Sequence, residues 1–432
     1  MANTTFYRNV SESPSKITWK DIFSEFNKNH TKQDMEYAFL AGTSLDMADE
    51  STMLQKWRKP WLFWRLLLIG AAFIVICLIT IFLFSNQPYT LLIVIDPMVG
   101  PVVLMIFFWE LNIPRNISIF ALMLFFVAGA FLSFLCLEVL FQIPMINFAN
   151  DAKNTAIGAP LREEPAKLIA TVLLLIFVSK KKGFRVYGLT GLVIGAAVGT
   201  GFSAFESFEY GINNGIPTLV ARFLFSVVGH TLYAAPYGAA IALHMKNNKL
   251  SVNSFANKDF VITFCMAFCM HMFNNAGYYH HLPLFIVFLI ELICLWSVAL
   301  YIIRKCLLQV VMIGQGASFQ GLDISQYAMA RPRVVSLSDG RPGQEWAVTG
   351  QGTKLGRNPS CQIIPYNPKG ISREHCLIQY DPANRVFYVY DLHSSYGTFL
   401  ANGARISPNQ PAVLQPGQEF VLPNQARFRV EA

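Results

Sequence analysis

Between residues 61 and 306 the chain is dominated by long apolar runs, with mixed polar and apolar positions before them and short alternating bursts after them. The runs fall at about 61–84, 90–109, 117–141, 164–179, 186–210, 217–244, 259–279 and 284–304, each near the roughly 20 residues a helix needs to cross a bilayer. The fourth reaches that length only if it starts near Glu163. Ahead of them, Thr18-x-x-Asp21 precedes Ile22, Phe23 and Phe26, and Thr31-x-x-Asp34 precedes Met35, Tyr37, Phe39 and Leu40; both read as capped amphipathic helices. Behind them, a poorly periodic Gly- and Gln-containing stretch reads as a linker. The runs RVVSLS, WAVTG, HCLIQY, RVFYVYDL, TFLANG, FVLP and RFRV then alternate with period two between turns such as Asp381-Pro-Ala-Asn, the pattern of a small sandwich. The chain is expected to be mainly α, a polytopic membrane helix bundle of about eight spans followed by an all-β sandwich. Its parts are residues 1–60, a helical N-terminal region; 61–306, the membrane domain; 307–332, the linker; and 333–432, the sandwich.

Composition agrees with that division: 53% of residues are apolar and only 14% charged, against about 25% charged in soluble domains. The net charge of +8 does not point to nucleic acid, because the cations cluster at the ends of apolar runs, where they set topology. Lys56, Arg58, Lys59 and Arg65 mark one end of the first run, Arg115 the loop after the second, Lys180 to Arg185 the loop after the fourth, Lys246 to Lys258 the loop after the sixth, and Arg304 and Lys305 the end of the eighth. The intervening loops are nearly uncharged apart from Lys153 and Arg162. Both termini are therefore expected on the cytoplasmic side. The eight cysteines show neither zinc nor disulfide-framework spacing, and Cys265 and Cys269, one turn apart in an apolar run, are expected to be buried small hydrophobes. No signal-peptide pattern opens the chain, so the first run is expected to stay as an anchor.

Ionisable groups inside spans are costly and are candidates for function. Arg162-Glu163-Glu164-Pro165-Ala166-Lys167 opens the fourth run, with Pro165 suited to a first turn and both glutamates placed where a helix dipole favours anions. Glu163 and Lys167, four apart, can pair; the plainer reading is a charged interfacial anchor. Glu206 lies in the outer half of the fifth run, His230 in the sixth, and His271 and Asn275 share a helical face in the seventh. Each alone reads as easily as a hydrogen-bonded packing residue, and Gly195 and Gly199 as a close-packing face. Four polar clusters on four consecutive runs at similar depth instead suggest a wet site for acid–base chemistry. There a glutamate screened from bulk water takes a proton from water, and imidazole and amide donors steady an oxyanion. Zinc competes for the same groups; His-Glu-x-x-His is absent, and spacing does not decide between ligands from different helices.

In this order Glu163-Glu164-x-x-Lys167, Phe202-x-x-x-Glu206, His230 and His271-x-x-x-Asn275 resemble the motifs of the PrsW family, bacterial intramembrane proteases distantly similar to the CAAX prenyl endopeptidases. The resemblance spans roughly residues 90 to 280. It implies a chain integral to the bacterial cell membrane that hydrolyses peptide bonds of single-pass membrane proteins. Glu163 or Glu164 would be the base, the His271/Asn275 face would hold the oxyanion, and Lys167, Glu206 and His230 would complete the set. No cofactor is required by this reading, and the family's discussed metal dependence leaves zinc open.

In the sandwich, Gly356-Arg357, then Ser372-Arg373-x-His375, then Gly397-Thr398 resemble a forkhead-associated (FHA) domain over roughly 333–431. Arg357, as a charged fork, and Ser372, as a small donor, suit a phosphate. The resemblance implies that these two contact phosphothreonine in a cytoplasmic partner, that His375 buttresses the loop, and that Lys369 adds charge. Arg373 and Thr398 belong to the same set. Tyr396 stands where the family usually has Asn, which helps hold the bound peptide. Two rival readings are a non-enzymatic phosphorylation-dependent receptor and a proton-coupled transporter.

Overall fold

The computed structural model describes residues 19–43, 53, 57–84, 89–143, 155–279, 282–314, 332–348, 352–381, 384–408 and 410–432. The chain divides into two compact units, Met1–Val311 and Met312–Ala432.

In the first unit, α1 (Trp19–Phe23) and α2 (Lys32–Phe39) precede the long helices α3 (Leu62–Phe84), α4 (Tyr89–Glu110), α5 (Ile119–Phe141), α6 (Thr155–Ser179) and α7 (Gly188–Asn214). Then follow α8 (Ile216–Phe225), a 3₁₀ turn at Ser226–Val228, α9 (His230–Leu243), α10 (Lys258–Tyr279) and α11 (Leu284–Gly314). The capping box expected at Thr31 is present: Thr31 N donates to Asp34 Oδ2 at 2.8 Å, and Asp34 N to Thr31 Oγ1 at 3.3 Å. Thr18, the first of the two expected caps, lies outside the described residues. Among the described residues, seven helical segments, α8 and α9 forming one of them, are long and apolar enough to cross a membrane. The eighth long helix, α6, carries Arg162, Glu163, Glu164 and Lys167 within its 25 residues. The first unit is thus a polytopic helix bundle with seven candidate spans, and α6, too charged to count among them, makes the eighth long segment expected from the apolar runs.

α7 is the axis of the bundle. Of its most apolar window 94% is buried, against 11% for α3 at the periphery. Small residues allow this. A Cβ on Gly191 would lie 2.2 Å from Gly238 O, on Gly195 2.4 Å from Ala234 O, and on Gly199 2.2 Å from His230 O. Three glycines four residues apart therefore let α7 and α9 meet backbone to backbone.

Three sequence expectations change here. The sixth run is not one continuous helix but breaks at Gly229, so that His230 begins α9 at the break within that candidate span. α6 starts at Thr155, with Pro160 and Pro165 inside it; Glu163 and Glu164 are therefore about 12–14 Å along the axis, away from the N-terminal dipole. Cys265 and Cys269 are exposed on α10, because the face they share points outward, where an apolar thiol suits lipid as well as a core.

The second unit is a β sandwich of two antiparallel sheets, in the orders β2-β1-β9-β8-β6 and β3-β4-β5-β7. Its strands are β1 (Arg333–Ser336), β2 (Glu345–Ala347), β3 (Thr353–Leu355), β4 (Cys376–Asp381), β5 (Val386–Asp391), β6 (Phe399–Leu400), β7 (Ala412–Leu414), β8 (Glu419–Val421) and β9 (Arg427–Glu431). β4 and β5 pair in the register Cys376↔Asp391 to Asp381↔Val386. Alternate residues enter one core of Val334, Leu355, Ile378, Phe387, Val389, Phe420 and Phe428. β7, short and directly behind Pro411, gives too little alternation to be read from sequence.

Candidate functional site

Inside the bundle, α6, α7, α9 and α10 bring the expected polar residues into one chain of contacts. Lys167 Nζ donates to Glu164 Oε1 at 2.6 Å and meets His230 Nδ1 at 2.7 Å. His230 Nε2 lies 2.8 Å from Glu206 Oε2. His271 Nδ1 lies 2.7 Å from the same Glu164 oxygen that Lys167 holds. Because a carboxylate only accepts, a neutral His230 donates from Nε2 and accepts Lys167 at Nδ1, while a neutral His271 donates from Nδ1 and keeps its Nε2 lone pair. That lone pair faces Glu163 Oε2 at 3.6 Å. Glu164 and Lys167 are wholly buried, and His230 and His271 are nearly so. Lys167 thus pairs with Glu164, three residues away, and not with Glu163 as the four-residue spacing suggested. Its ammonium also lies 4.6 Å over the Phe202 ring.

Two oxygens stand out. Glu163 Oε2 and Glu164 Oε2 are buried with no hydrogen-bond partner among the described residues. Glu163, His230 and His271 each offer a ligand atom within 4.8 Å of the others'. Two imidazoles and a carboxylate form a donor set suited to a divalent transition metal, and the unpartnered carboxylate oxygens fit a cation. Glu164 behind His271 and Glu206 behind His230 are the carboxylates that orient metal-binding imidazoles elsewhere. His230 would have to release Lys167 or Glu206 to join such a set.

Several participants escaped the sequence reading. Arg222 on α8 pairs with Glu206 and donates to Ser207 Oγ at 2.6 Å; read as a loop charge, it reaches inward because the helix breaks just beyond it. Tyr233 stacks on His271 with ring centroids 5.4 Å apart and meets His230 edge-on. Its hydroxyl donates to Glu291 Oε1 at 3.1 Å, and Asn274 donates to Glu291 Oε2 at 2.9 Å. Glu291, a lone acid in the last apolar run, was the available signal. Asn275 is half-buried and takes part in none of these bonds; its neighbour Asn274 does. Arg162 is buried against the Phe141 ring at 4.5 Å, with Nε and Nη1 unpartnered among the described residues.

In the sandwich, Arg357, Asn367 to Ser372, Ser395 and Tyr396 line an open pocket. Gly356 permits it: a Cβ there would lie 2.2 Å from Arg373 O, so the strand end carrying Arg357 can approach the Ser372 loop, where Arg357 N donates to Ser372 O at 3.1 Å. Ser395 N donates to Ser372 Oγ at 3.0 Å. Beneath, the wholly buried His375 accepts from Ser372 N at 3.1 Å and donates to Gly397 O at 3.2 Å, tying the two loops together. Burial holds the His375 imidazole below its usual range. Burial pushes Asp391 up, but hydrogen bonds from Ser394 and Thr398 outweigh it and hold the carboxyl below its usual value. Thr398 is itself buried, donating to Asp391 Oδ2 at 2.7 Å, and Arg373 is exposed outside the pocket lining. Tyr396 is 65% exposed at the rim.

Comparison with known proteins divides along the same line. Residues 117–303 match the model of the PrsW family intramembrane metalloprotease, and residues 353–423 match the FHA domain. Among solved structures, the FHA domain of the CT664 protein from Chlamydia trachomatis is 22% identical and covers 24% of this chain and 98% of its own, with a TM-score of 0.21. The MEK1 FHA domain is 26% identical over 25% of this chain and 93% of its own, with a TM-score of 0.22. The N-terminal FHA domain of S. cerevisiae Rad53p, solved with a phosphothreonine peptide, is 20% identical over 23% of this chain and 91% of its own, with a TM-score of 0.20. Comparison with curated proteins found no match. The motifs and the two family matches agree on one division of the chain: residues 117–303 are similar to the PrsW family intramembrane metalloproteases, and residues 353–423 to the FHA domain.

Proposed function

We propose that the membrane unit hydrolyses peptide bonds of single-pass membrane proteins with Glu163 as the group that takes the proton of the attacking water. The observation that carries this is the buried, unpartnered Glu163 Oε2 facing the free Nε2 of His271. Glu164, engaged by Lys167 and His271, instead fixes the imidazole's orientation. Four carboxyl groups (Glu163, Glu164, Glu206, Glu291) share this cluster with two basic side chains (Lys167, Arg222), and the excess of acids suits a group that accepts a proton or helps hold a cation. His271 would steady a developing oxyanion only after gaining a proton at Nε2, since its Nδ1–H is held by Glu164 and the N–H of His230 by Glu206. A divalent metal would be held by Glu163, His230 and His271, and when bound it would supply Lewis-acid polarisation of the peptide carbonyl and a more acidic water. The proposed orientation puts both termini in the cytoplasm of a bacterial cell, from the basic loops, with the cluster in the outer half of the bilayer.

The FHA domain is proposed to recruit a phosphothreonine-bearing cytoplasmic protein through Arg357 and Ser372, with Lys369 adding charge. Cleavage of a panel of single-pass peptides by the purified full chain in lipid tests the first reading. Glu163→Gln should lower turnover by ~10²–10⁴, the range for a general base, with the helical circular dichroism unchanged. Metal content of the parent and of His271→Ala, read by mass spectrometry, separates the two chemistries: a stoichiometric metal in the parent, lost in the variant, favours metal. Parental rates in Glu163→Gln would sink the proposal.

A further inference from the structure

The N-terminal helices carry apolar side chains that neither the bundle nor the sandwich chemistry uses. Phe23 is 54% exposed, and Met35 and Phe39, four apart on α2, are 45% and 41% exposed. Yet the segment is firmly held. Trp64 Nε1 donates to Ile22 O at 2.9 Å, Lys59 pairs with Asp21 at 2.8 Å, and His30 stacks on Trp61 at 4.1 Å. Arg115 donates to Tyr37 O at 2.6 Å and lies over the Tyr37 ring. Gly42 packs against the backbone of Ile117 and Ser118, where a Cβ would lie 2.2 Å from Ser118 N. These contacts fix the segment across the first turns of α3 and α5.

Both helices turn their next residues outward. On α3, Leu68 and Ile69 are 46% and 67% exposed; on α5, Phe120 and Leu124 are 79% and 51% exposed. In helices apolar enough to span a bilayer, such faces meet lipid. Phe23 contacts Trp64 at 5.1 Å between ring centroids, and Trp64 lies about 6 Å along the axis from Leu68. Phe23 is therefore continuous with the lipid-facing surface of α3, and Gly42, three residues past Phe39, abuts Ser118 two residues before the exposed Phe120 of α5, at the depth where Trp residues mark the membrane–water boundary.

We propose that residues 19–43 form an interfacial arm, with Phe23, Met35 and Phe39 inserted between lipid acyl chains at the edge of the bilayer. Apolar burial drives the insertion, not attraction to anionic headgroups. Lys28 pairs with Glu25 at 2.6 Å, Lys32 with Glu36 at 3.6 Å, and Lys59 of the flanking segment with Asp21 at 2.8 Å, and residues 19–43 hold three lysines against the four acids Asp21, Glu25, Asp34 and Glu36. Interfacial helices that rely on charge carry an unbalanced basic face, and this arm does not. The arm would set the depth at which α3 and α5 enter the membrane, independently of any proteolysis.

Photocrosslinking of the full chain tests this. p-Benzoylphenylalanine is placed singly at Phe23, Phe39, Phe120 and the exposed loop residue Lys181, and the protein is reconstituted in nanodiscs of phosphatidylcholine, with or without phosphatidylglycerol. Adducts are then read by mass spectrometry. Phe120 reports that the bundle is inserted, and the aromatic replacement at Phe23 and Phe39 is conservative. Lipid adducts from positions 23 and 39 as strong as from 120, weak ones from 181, and no change with phosphatidylglycerol are expected. Positions 23 and 39 behaving like 181, while 120 still labels lipid, would place that face in water, free for a protein partner. Adducts that form only with phosphatidylglycerol would also overturn the proposal, since charge would then govern binding.

Discussion

Glu163 and Glu164 are adjacent and chemically identical, yet the fold treats them differently. Both keep an Oε2 with no hydrogen-bond partner among the described residues, but Glu164 shares its Oε1 between Lys167 and His271, whereas Glu163 meets His271 Nε2 at 3.6 Å without a hydrogen bond. Sequence could place both near a wet site but not separate them, because the distinction depends on which side of α6 meets α9 and α10. At the phosphate pocket the individual residues make a sharper test. Charge-assisted bonds are typically ~1.5–3 kcal/mol each, so Arg357→Ala should weaken binding of a phosphothreonine peptide by roughly ten- to a hundredfold. Tyr396 lacks the amide the family usually offers, so Tyr396→Asn should strengthen it. Calorimetry with phosphorylated and plain peptides decides, and equal affinity for both forms would make the domain a docking module indifferent to phosphate.

At the scale of elements, the contact between α7 and α9 positions His230. Gly199 lies where a side chain would strike the His230 carbonyl, so Gly199→Leu must push the helices apart. Overpacking of this kind costs ~1–3 kcal/mol, and a lower melting temperature in detergent, with cleavage lost in parallel, is the expected result. An unchanged melting temperature would mean that α9 yields freely. His375, just ahead of β4, and Asp391, at the end of β5, make the sandwich sensitive to acid. His375, held below its ordinary value by burial, takes up a proton more readily when unfolded, so stability falls as pH drops below about 6.5. Asp391, held low by Ser394 and Thr398, contributes stability that is present above its unfolded value and lost as pH falls through its folded one. Both signs agree. Because residues 332–432 have their own core, the isolated domain should melt lower at pH 5 than at pH 7.5, and His375→Gln should reduce the part of that loss above pH 5.

For the whole molecule, the alternating basic loops predict which segments reach each side. A cysteine at Asn213 should be labelled by an impermeant reagent from outside intact cells, and one at Lys181 only after lysis; labelling at Lys181 from outside would reverse the proposed side of cleavage. Sequence alone determined the two-part architecture, because bilayer-length apolar runs and period-two alternation are local patterns imposed by the solvent each segment meets. It also brought out Glu163, Glu164, Lys167, Glu206, His230 and His271, since charge inside an apolar run is conspicuous wherever it falls. It could not show that the sixth run breaks at Gly229, that α6 begins far enough back to carry its glutamates inward, or that Arg222, Tyr233, Asn274 and Glu291 join the cluster. Those depend on how helices distant in sequence pack, and only the tertiary structure decides which buried polar atom finds a partner and which, like Glu163 Oε2, is left without one.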